Sequence, residues 1–292
     1  MAQQWSGQTG GTYRMQKILV SIFRYVDRRV MYVVMHLWLV WYLIVRPSTT
    51  KAIYHYHRRR GRSVMQAIPD TYRSFYHFGK AIVDRFAVYA GCPFELHVEN
   101  SDIYYSRSKE KEGMIMLFSH VGNSEMAAYL LQTPDKHMNI LAYGGESPVV
   151  MEQRARVLEK NNIGMIVVQP NDMSHIFQIN EAMQKGEVLA IAGDRNMGDK
   201  NIMCPLLGTE APFPAGVFTL CAALDRPVLL SFVIKESWNS YHAYTYQLSV
   251  NRSLPRAERA TDLVRQYAEL VEKTALQFPY QWFHFYEFWY AK

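Results

Sequence analysis

The chain has 292 residues, 49% of them hydrophobic and 14% aromatic, which excludes a disordered or low-complexity protein and leaves ample material for a core. Three widely spaced cysteines, Cys92, Cys204 and Cys221, make neither a disulfide framework nor a zinc knuckle and fit buried thiols in a reducing compartment. The net charge of +6 is lopsided: residues 1–66 carry 11 Lys/Arg against the single acid Asp27, a net +10, and the remainder carries 21 against 25, a net −4. Basic charge beside apolar sequence points to an anionic surface, either lipid headgroups or nucleic acid.

After a polar lead, Lys17 to Tyr25 reads as a short helix. Val30 to Val45, "VMYVVMHLWLVWYLIV", is the most apolar stretch, interrupted only by His36. As a helix it would be about 24 Å long, short of the ~30 Å hydrocarbon core. Arg28 and Arg29 flank it on one side and Arg46 and Pro47 on the other. No small-residue cleavage site follows it, so an uncleaved, membrane-embedded anchor is expected over a signal peptide or a buried core helix. The run His55 to Arg62, "HYHRRRGR", follows closely and suits anionic lipid, where a basic residue contributes about 1 kcal/mol. No nucleic-acid motif accompanies the charge, which disfavours that partner. From Asp70 to Ala90 the stripe Phe75, Phe78, Ile82, Phe86 and Tyr89 predicts another helix.

From about Phe94 the pattern becomes α/β. Strands are expected at Phe94–Val98, Met114–Phe118, Asn139–Ala142, Met165–Val168, Val188–Ala192, Val228–Ile234 and Tyr244–Val250. Helices are expected at Ser124–Gln132, Pro148–Lys160, Ser174–Lys185, Pro214–Leu224 and Ala257–Gln277. Apolar strands without alternation, separated by helices, imply a mixed, mostly parallel sheet covered on both faces. The expected layout is a basic, membrane-anchoring helical segment over 1–66 and an α/β domain over 67–292.

The stretch "SHVGNSE", Ser119 to Glu125, places His120 and Glu125 where a strand gives way to a helix. Five residues apart, they would sit about 140° apart on a regular helix and could not face each other. A turn at Gly122, with Asn123 or Ser124 as N-cap, lets them converge and puts Glu125 in the first helical turn. A carboxylate holding one imidazole nitrogen leaves the other to take a proton from a hydroxyl. A surface histidine and a helix-capping glutamate would show the same spacing. No GxSxG elbow, HExxH, Walker or GxGxxG motif is present, and no His/Cys cluster has zinc spacing.

This stretch resembles the H-x4-D/E motif of glycerolipid acyltransferases. "LFSHVGNSEM" is most similar to the LpxL/LpxM-type lipid A acyltransferases, whose usual form is H-F-G-N-W-E. The similarity continues in register. "INEAMQKGEVLAIAGDRNMG" (179–198) resembles that family's glycine-containing block ending in Asp. "PLLGTEAPFPAGVFTLCAALDRPVLLSFV" resembles its next block, and "FPYQWFHFYEFW" (278–289) its terminal P-E-Q-W-x-W-x-H-R-R-F. Together the blocks span roughly residues 90–290. Two departures stand out: Ser124 replaces the usual Trp, and Phe285 and Tyr286 replace the two basic residues after His284.

The resemblance implies a membrane-associated O-acyltransferase that moves a fatty acyl chain from an acyl thioester to a hydroxyl of lipid A or a related glycolipid. The thioester is carried by acyl carrier protein or coenzyme A as co-substrate, with no resident cofactor and no metal. The alternatives are another bacterial acceptor, such as a lysophospholipid or aminolipid, or a non-catalytic lipid-binding protein of the same fold. The expected partners are membrane lipids and acyl carrier protein, and the expected place is the cytoplasmic side of a bacterial inner membrane. His120 and Glu125 are the expected dyad. Arg154 and Arg156 are candidates for oxyanion or phosphate binding, though about 200° apart on a helix, so that at most one faces the site. Asn123, Asp194, Arg195 and His284 are substrate-binding candidates, with a structural ion pair the other reading for Asp194 and Arg195. His36 falls in the anchor and is expected at the membrane interface, His55 and His57 belong to the basic run, and His97, His137, His175 and His242 show no partner pattern.

Overall fold

Four helices lead the chain in the computed structural model, which describes residues 13–23, 25–131, 136–144, 148–169, 172–195 and 200–290. They are α1 (Tyr13–Ile22), α2 (Arg28–Val45), α3 (Pro47–Arg59) and α4 (Val64–Tyr89). The Asp27 side chain caps α2, and Ser63 and Gln66 form a capping box that starts α4 six residues before the phenylalanine stripe suggested. α2 runs back along α4, with Tyr32 bonded to Asp84 and His36 to Tyr72.

β1 (Glu95–Glu99), α5 (Ser101–Lys109), β2 (Met114–Gly122), α6 (Ser124–Leu130), β3 (Met138–Tyr143), α7 (Pro148–Glu159), β4 (Ile163–Val168), α8 (Ser174–Gln184) and β5 (Val188–Ala192) follow. Then come β6 (Asn201–Leu206), β7 (Thr209–Pro214), α9 (Ala215–Ala223), β8 (Val228–Lys235), β9 (Ser240–Leu248) and α10 (Arg256–Gln277). The expected strands all form one sheet, in the order β1-β9-β8-β2-β5-β3-β4. Every neighbouring pair is parallel except β8 with β9. The fold is α/β with a mixed, mostly parallel sheet.

β8 is buried along its whole length, as a central strand covered on both faces must be. Alternate residues feed two cores. Ile115, Leu117, Leu230 and Phe232 join Phe218, Tyr267 and Val271 of α9 and α10 on one face. Met114, Met116, Leu229 and Val233 join Tyr104, Met126 and Ala127 of α5 and α6 on the other.

Helix α3, the strand pair β6 and β7, and helix α5 were not among the expected elements. β6 and β7 form a separate antiparallel hairpin turned by Leu207 and Gly208, both at positive φ. Its strands carry Pro205, Pro212 and Pro214, tolerated because a two-stranded ribbon consists of edges alone. The residue before α5, Asn100 at its N-cap, adopts left-handed φ and ψ.

α2 is the one helix among the described residues long and apolar enough to cross a membrane by length and composition. Its two sides differ. Arg28, Tyr32 and Leu39 are buried against the protein. Val30, Val33, Val34, Leu37, Trp38, Trp41, Ile44 and Val45 are exposed on a stripe with i, i+3/i+4 spacing. Tyr32 and Tyr241 donate hydrogen bonds to the fully buried Asp84, whose other partner is Lys235 Nζ at 2.5 Å. Burial pushes the Lys235 ammonium down, and the Asp84 carboxylate opposes that.

The basic run after α2 is largely tied into the protein. His57 is fully buried, with Nε2 2.8 Å from Ser74 Oγ. Arg62 pairs with Asp70 at 2.7 Å, and Arg59 lies over the Trp289 ring.

Candidate active site

β2 leaves regular register at the histidine. Phe118 faces Ser231 and Gly122 faces Val233, so β2 advances four residues while β8 advances two. Such a bulge re-aims a side chain. Gly122 closes it at φ +82°, and a Cβ there would lie 2.3 Å from the Val233 carbonyl oxygen. That close approach and the left-handed φ both require glycine. The same carbonyl accepts the Asn123 N–H at 2.7 Å.

The C-terminal segment straps this irregular backbone from outside. Gly122 N–H donates to the Gln281 carbonyl at 2.6 Å, and Phe283 N–H donates to the His120 carbonyl at 2.9 Å. The Gln281 side chain bonds both main-chain groups of Lys235, at 2.9 and 3.0 Å. The terminal block recognised in the sequence thus holds the histidine turn against β8.

His120 is partly exposed. Its Nδ1 lies 2.6 Å from Oδ1 of Asp194, just past the end of β5, and its main-chain N–H donates to Oδ2 at 2.6 Å. Trp282 Nε1–H also donates to Oδ2, at 3.3 Å, and Tyr286 O–H donates to the Asp194 carbonyl at 3.0 Å. Burial pushes the Asp194 carboxyl up, but His120, through its charge and both hydrogen bonds, with Arg195 adding to it, brings the net shift below the usual carboxylate range. Asp194 is therefore an ionised, buried acceptor that fixes the imidazole's orientation.

Glu125 lies in the first turn of α6, as its sequence position suggested. Its Oε2 accepts from Arg85 on α4 at 2.9 Å, and that ion pair holds the arginine pKa up. The holding contact to His120 Nδ1, expected from Glu125, is made in this structure by Asp194. Asn123 occupies the N-cap position without a side-chain cap. Its amide donates instead to the Ala81 carbonyl and the Tyr241 hydroxyl, both at 3.3 Å.

The other expected residues separate. Arg156 is exposed and paired with Glu152 at 2.6 Å, one turn away on its own helix. The Arg154 side chain lies outside the described residues. His284 is buried beside Trp282 and Tyr56, and neither ring nitrogen makes a hydrogen bond. Burial pushes its pKa down to about 3, so it is neutral. Arg85 and the holding role of Asp194 were not read from the sequence. Asp194 stood out as a charge at a strand end, where α/β folds place their sites, and as the Asp of the family-like block 179–198, but as a substrate-binding candidate rather than as the partner of His120.

A buried carboxylate on an imidazole at the carboxyl ends of parallel strands is an arrangement that can support general-base chemistry in an α/β protein. The sequence profile of the bacterial lipid A biosynthesis acyltransferases matches residues 74–290, and the chain belongs to that family. It is thus an acyltransferase. Among individually curated proteins, the chain matches none.

Proposed function

We propose that this protein transfers a fatty acyl chain from a carrier-bound thioester to a hydroxyl of lipid A or a closely related glycolipid, at the cytoplasmic face of a bacterial inner membrane. The observation that carries the reading is the bond between His120 Nδ1 and the buried Asp194 carboxylate. It fixes the tautomer with the proton on Nδ1 and leaves Nε2 as the base. Nε2 takes the proton from the acceptor hydroxyl as the oxygen attacks the thioester carbonyl. Collapse of the tetrahedral intermediate forms the ester and breaks the carbon–sulfur bond, and the histidine returns the proton to the departing thiol. Glu125, fixed by Arg85 beside the same turn, orients the acceptor.

The exposed apolar stripe of α2 inserts into the bilayer while its opposite side stays bonded to the protein. That arrangement suits a helix lying in one leaflet and brings the site to the lipid. Phe285 and Tyr286, where the family pattern has two basic residues, support a second acceptor class with fewer phosphates, such as a lysophospholipid or aminolipid.

The test compares the wild-type chain with His120→Ala in membranes supplied with acyl-carrier-protein thioester and a lipid extract, with products read by mass spectrometry. Wild type should yield new acylated lipids and His120→Ala essentially none. Identical products from both would show that His120 is not the base.

A further inference from the structure

The β8–β9 hairpin and the edge strand β1 bring together two histidines and two glutamates far apart in sequence. His97 on β1 lies directly across from His242 on β9 in the parallel register, and their rings are 6.1 Å apart. Glu236 follows the last residue of β8. One of its oxygens is 2.9 Å from His97 Nδ1 and the other 4.0 Å from His242 Nδ1. His97, Glu236 and His242 can each offer one ligand atom so that all three atoms lie within 4.8 Å of one another. Glu99 stands on the far side of the second ring, with Oε2 3.6 Å from His242 Nε2. That distance is too long for a hydrogen bond, and the shielded Nε2 makes none.

We infer that His97, Glu236 and His242 form a binding site for a divalent transition-metal ion of the zinc type. Each imidazole turns Nδ1 toward the same carboxylate, as ligands converging on one cation do. Modest rotations of the exposed His97 and Glu236 side chains and the partly buried His242 would bring the three ligand atoms to the ~3.3 Å spacing set by bonds of about 2.0–2.1 Å. Two imidazoles with a carboxylate favour Zn²⁺, Cu²⁺ or Ni²⁺ over the oxygen-seeking Mg²⁺ and Ca²⁺. Glu99 lies 3.6 Å from the His242 nitrogen that would not bind metal, where a slight closure on metal binding would make it that nitrogen's outer acceptor. Two carboxylates flank the two imidazoles, a setting that suits a divalent cation. His97 and Glu236 are about half exposed, at 55% and 48%, so the ion has a path in and water fills the remaining position.

Bound metal would cross-link the edge strand β1 to the β8–β9 hairpin. Trp238 in that hairpin stacks under Arg29 at 3.7 Å and Arg28 at 4.8 Å, at the start of α2. The site thus braces the ledge on which α2 rests. β8 separates it from the His120 turn on β2, and its role is independent of the acyl-transfer reading.

The test uses the untagged full chain in detergent, stripped with a chelator, dialysed and titrated with ZnCl₂ by calorimetry and metal analysis. Co²⁺ serves as a second probe, whose visible bands report nitrogen–oxygen coordination. Wild type should bind about one equivalent of Zn²⁺. His97→Ala and His242→Ala should each cost on the order of 100-fold in affinity, and Glu99→Gln about 10-fold. Circular dichroism checks that the variants fold, and Glu99→Gln alone decides if a histidine variant does not. A wild-type chain that takes up no Zn²⁺ at micromolar concentration would leave only protonated histidines paired with glutamates, and would overturn the inference. So would undiminished binding by the His97→Ala/His242→Ala double variant.

Discussion

Replacing Asp194 with Asn tests which carboxylate governs the histidine. Asp194 Oδ2 accepts two N–H groups, from the His120 main chain and Trp282, and Oδ1 faces His120 Nδ1. An asparagine keeps its one carbonyl oxygen toward the two fixed donors. Its amide then faces Nδ1 and forces that nitrogen to accept. The proton moves to Nε2, which can no longer act as base. In a serine-protease triad the equivalent change costs about 10⁴ in kcat. The His120 backbone stays pinned here by Phe283, so a loss of ~10³–10⁴ in kcat is expected, or about 4–5.5 kcal/mol at 1.36 kcal/mol per decade. KM for the lipid should change little, because Asp194 acts through His120 rather than on the acceptor. Stability should fall by about 1–3 kcal/mol for the disturbed buried hydrogen bonds, well short of unfolding. The assay follows acyl transfer with thioester and lipid acceptor in mixed micelles, beside a denaturant melt. A folded Asp194→Asn enzyme within tenfold of wild-type kcat would refute the reasoning, and an equal loss confined to Glu125→Gln would return the holding role to Glu125.

Gly122→Ala should lower stability by about 1–3 kcal/mol and reduce acyl transfer, because the methyl group meets the Val233 carbonyl and strains the His120 turn; an unchanged denaturant midpoint would contradict this. Acid should destabilise the fold well above the carboxylate range. Burial lowers the pKa of His57 and His77 to about 4 and of His284 to about 3, from 6.5. Between those values the unfolded chain binds more protons, so stability falls as pH drops from about 6.5, by up to ~1.4 kcal/mol per pH unit per histidine. Denaturant midpoints that stay flat between pH 7 and 5 would rule that out. Val33, Leu37 and Trp41 all changed to Glu should release the protein from membranes into the soluble fraction, since these side chains are exposed and make up the apolar stripe; a variant that still sediments with membranes would place the attachment elsewhere.

Much of the architecture was legible because parallel strands buried on both faces read as unbroken apolar runs. β5 spans the expected residues, and β2 and β8 extend the expected ones only at their ends. The β6–β7 hairpin was hidden because three prolines argue against strands and its turn, Leu207-Gly208, lacks the Asn or Asp that marks such turns. α5, "SDIYYSRSK", has no apolar stripe to announce a helix.

Sequence by itself determined that a histidine sits at the mouth of a buried strand, that Gly122 must bend the chain there, and that α2 has more apolar surface than a soluble helix needs. These are local properties, set by period, propensity and the reach of a few residues. Tertiary structure decided what each charged group meets. Asp194 reaches His120 across 74 residues, Arg85 reaches Glu125 across 40, and His97 meets Glu236 across 139. Sheet order makes those meetings: β5 lies beside β2, and β9 carries His242 to the edge strand, so residues with no spacing pattern in the chain share one end of a sheet. A spacing rule can propose Glu125 as the partner of His120, but only the packed sheet supplies a buried carboxylate at 2.6 Å.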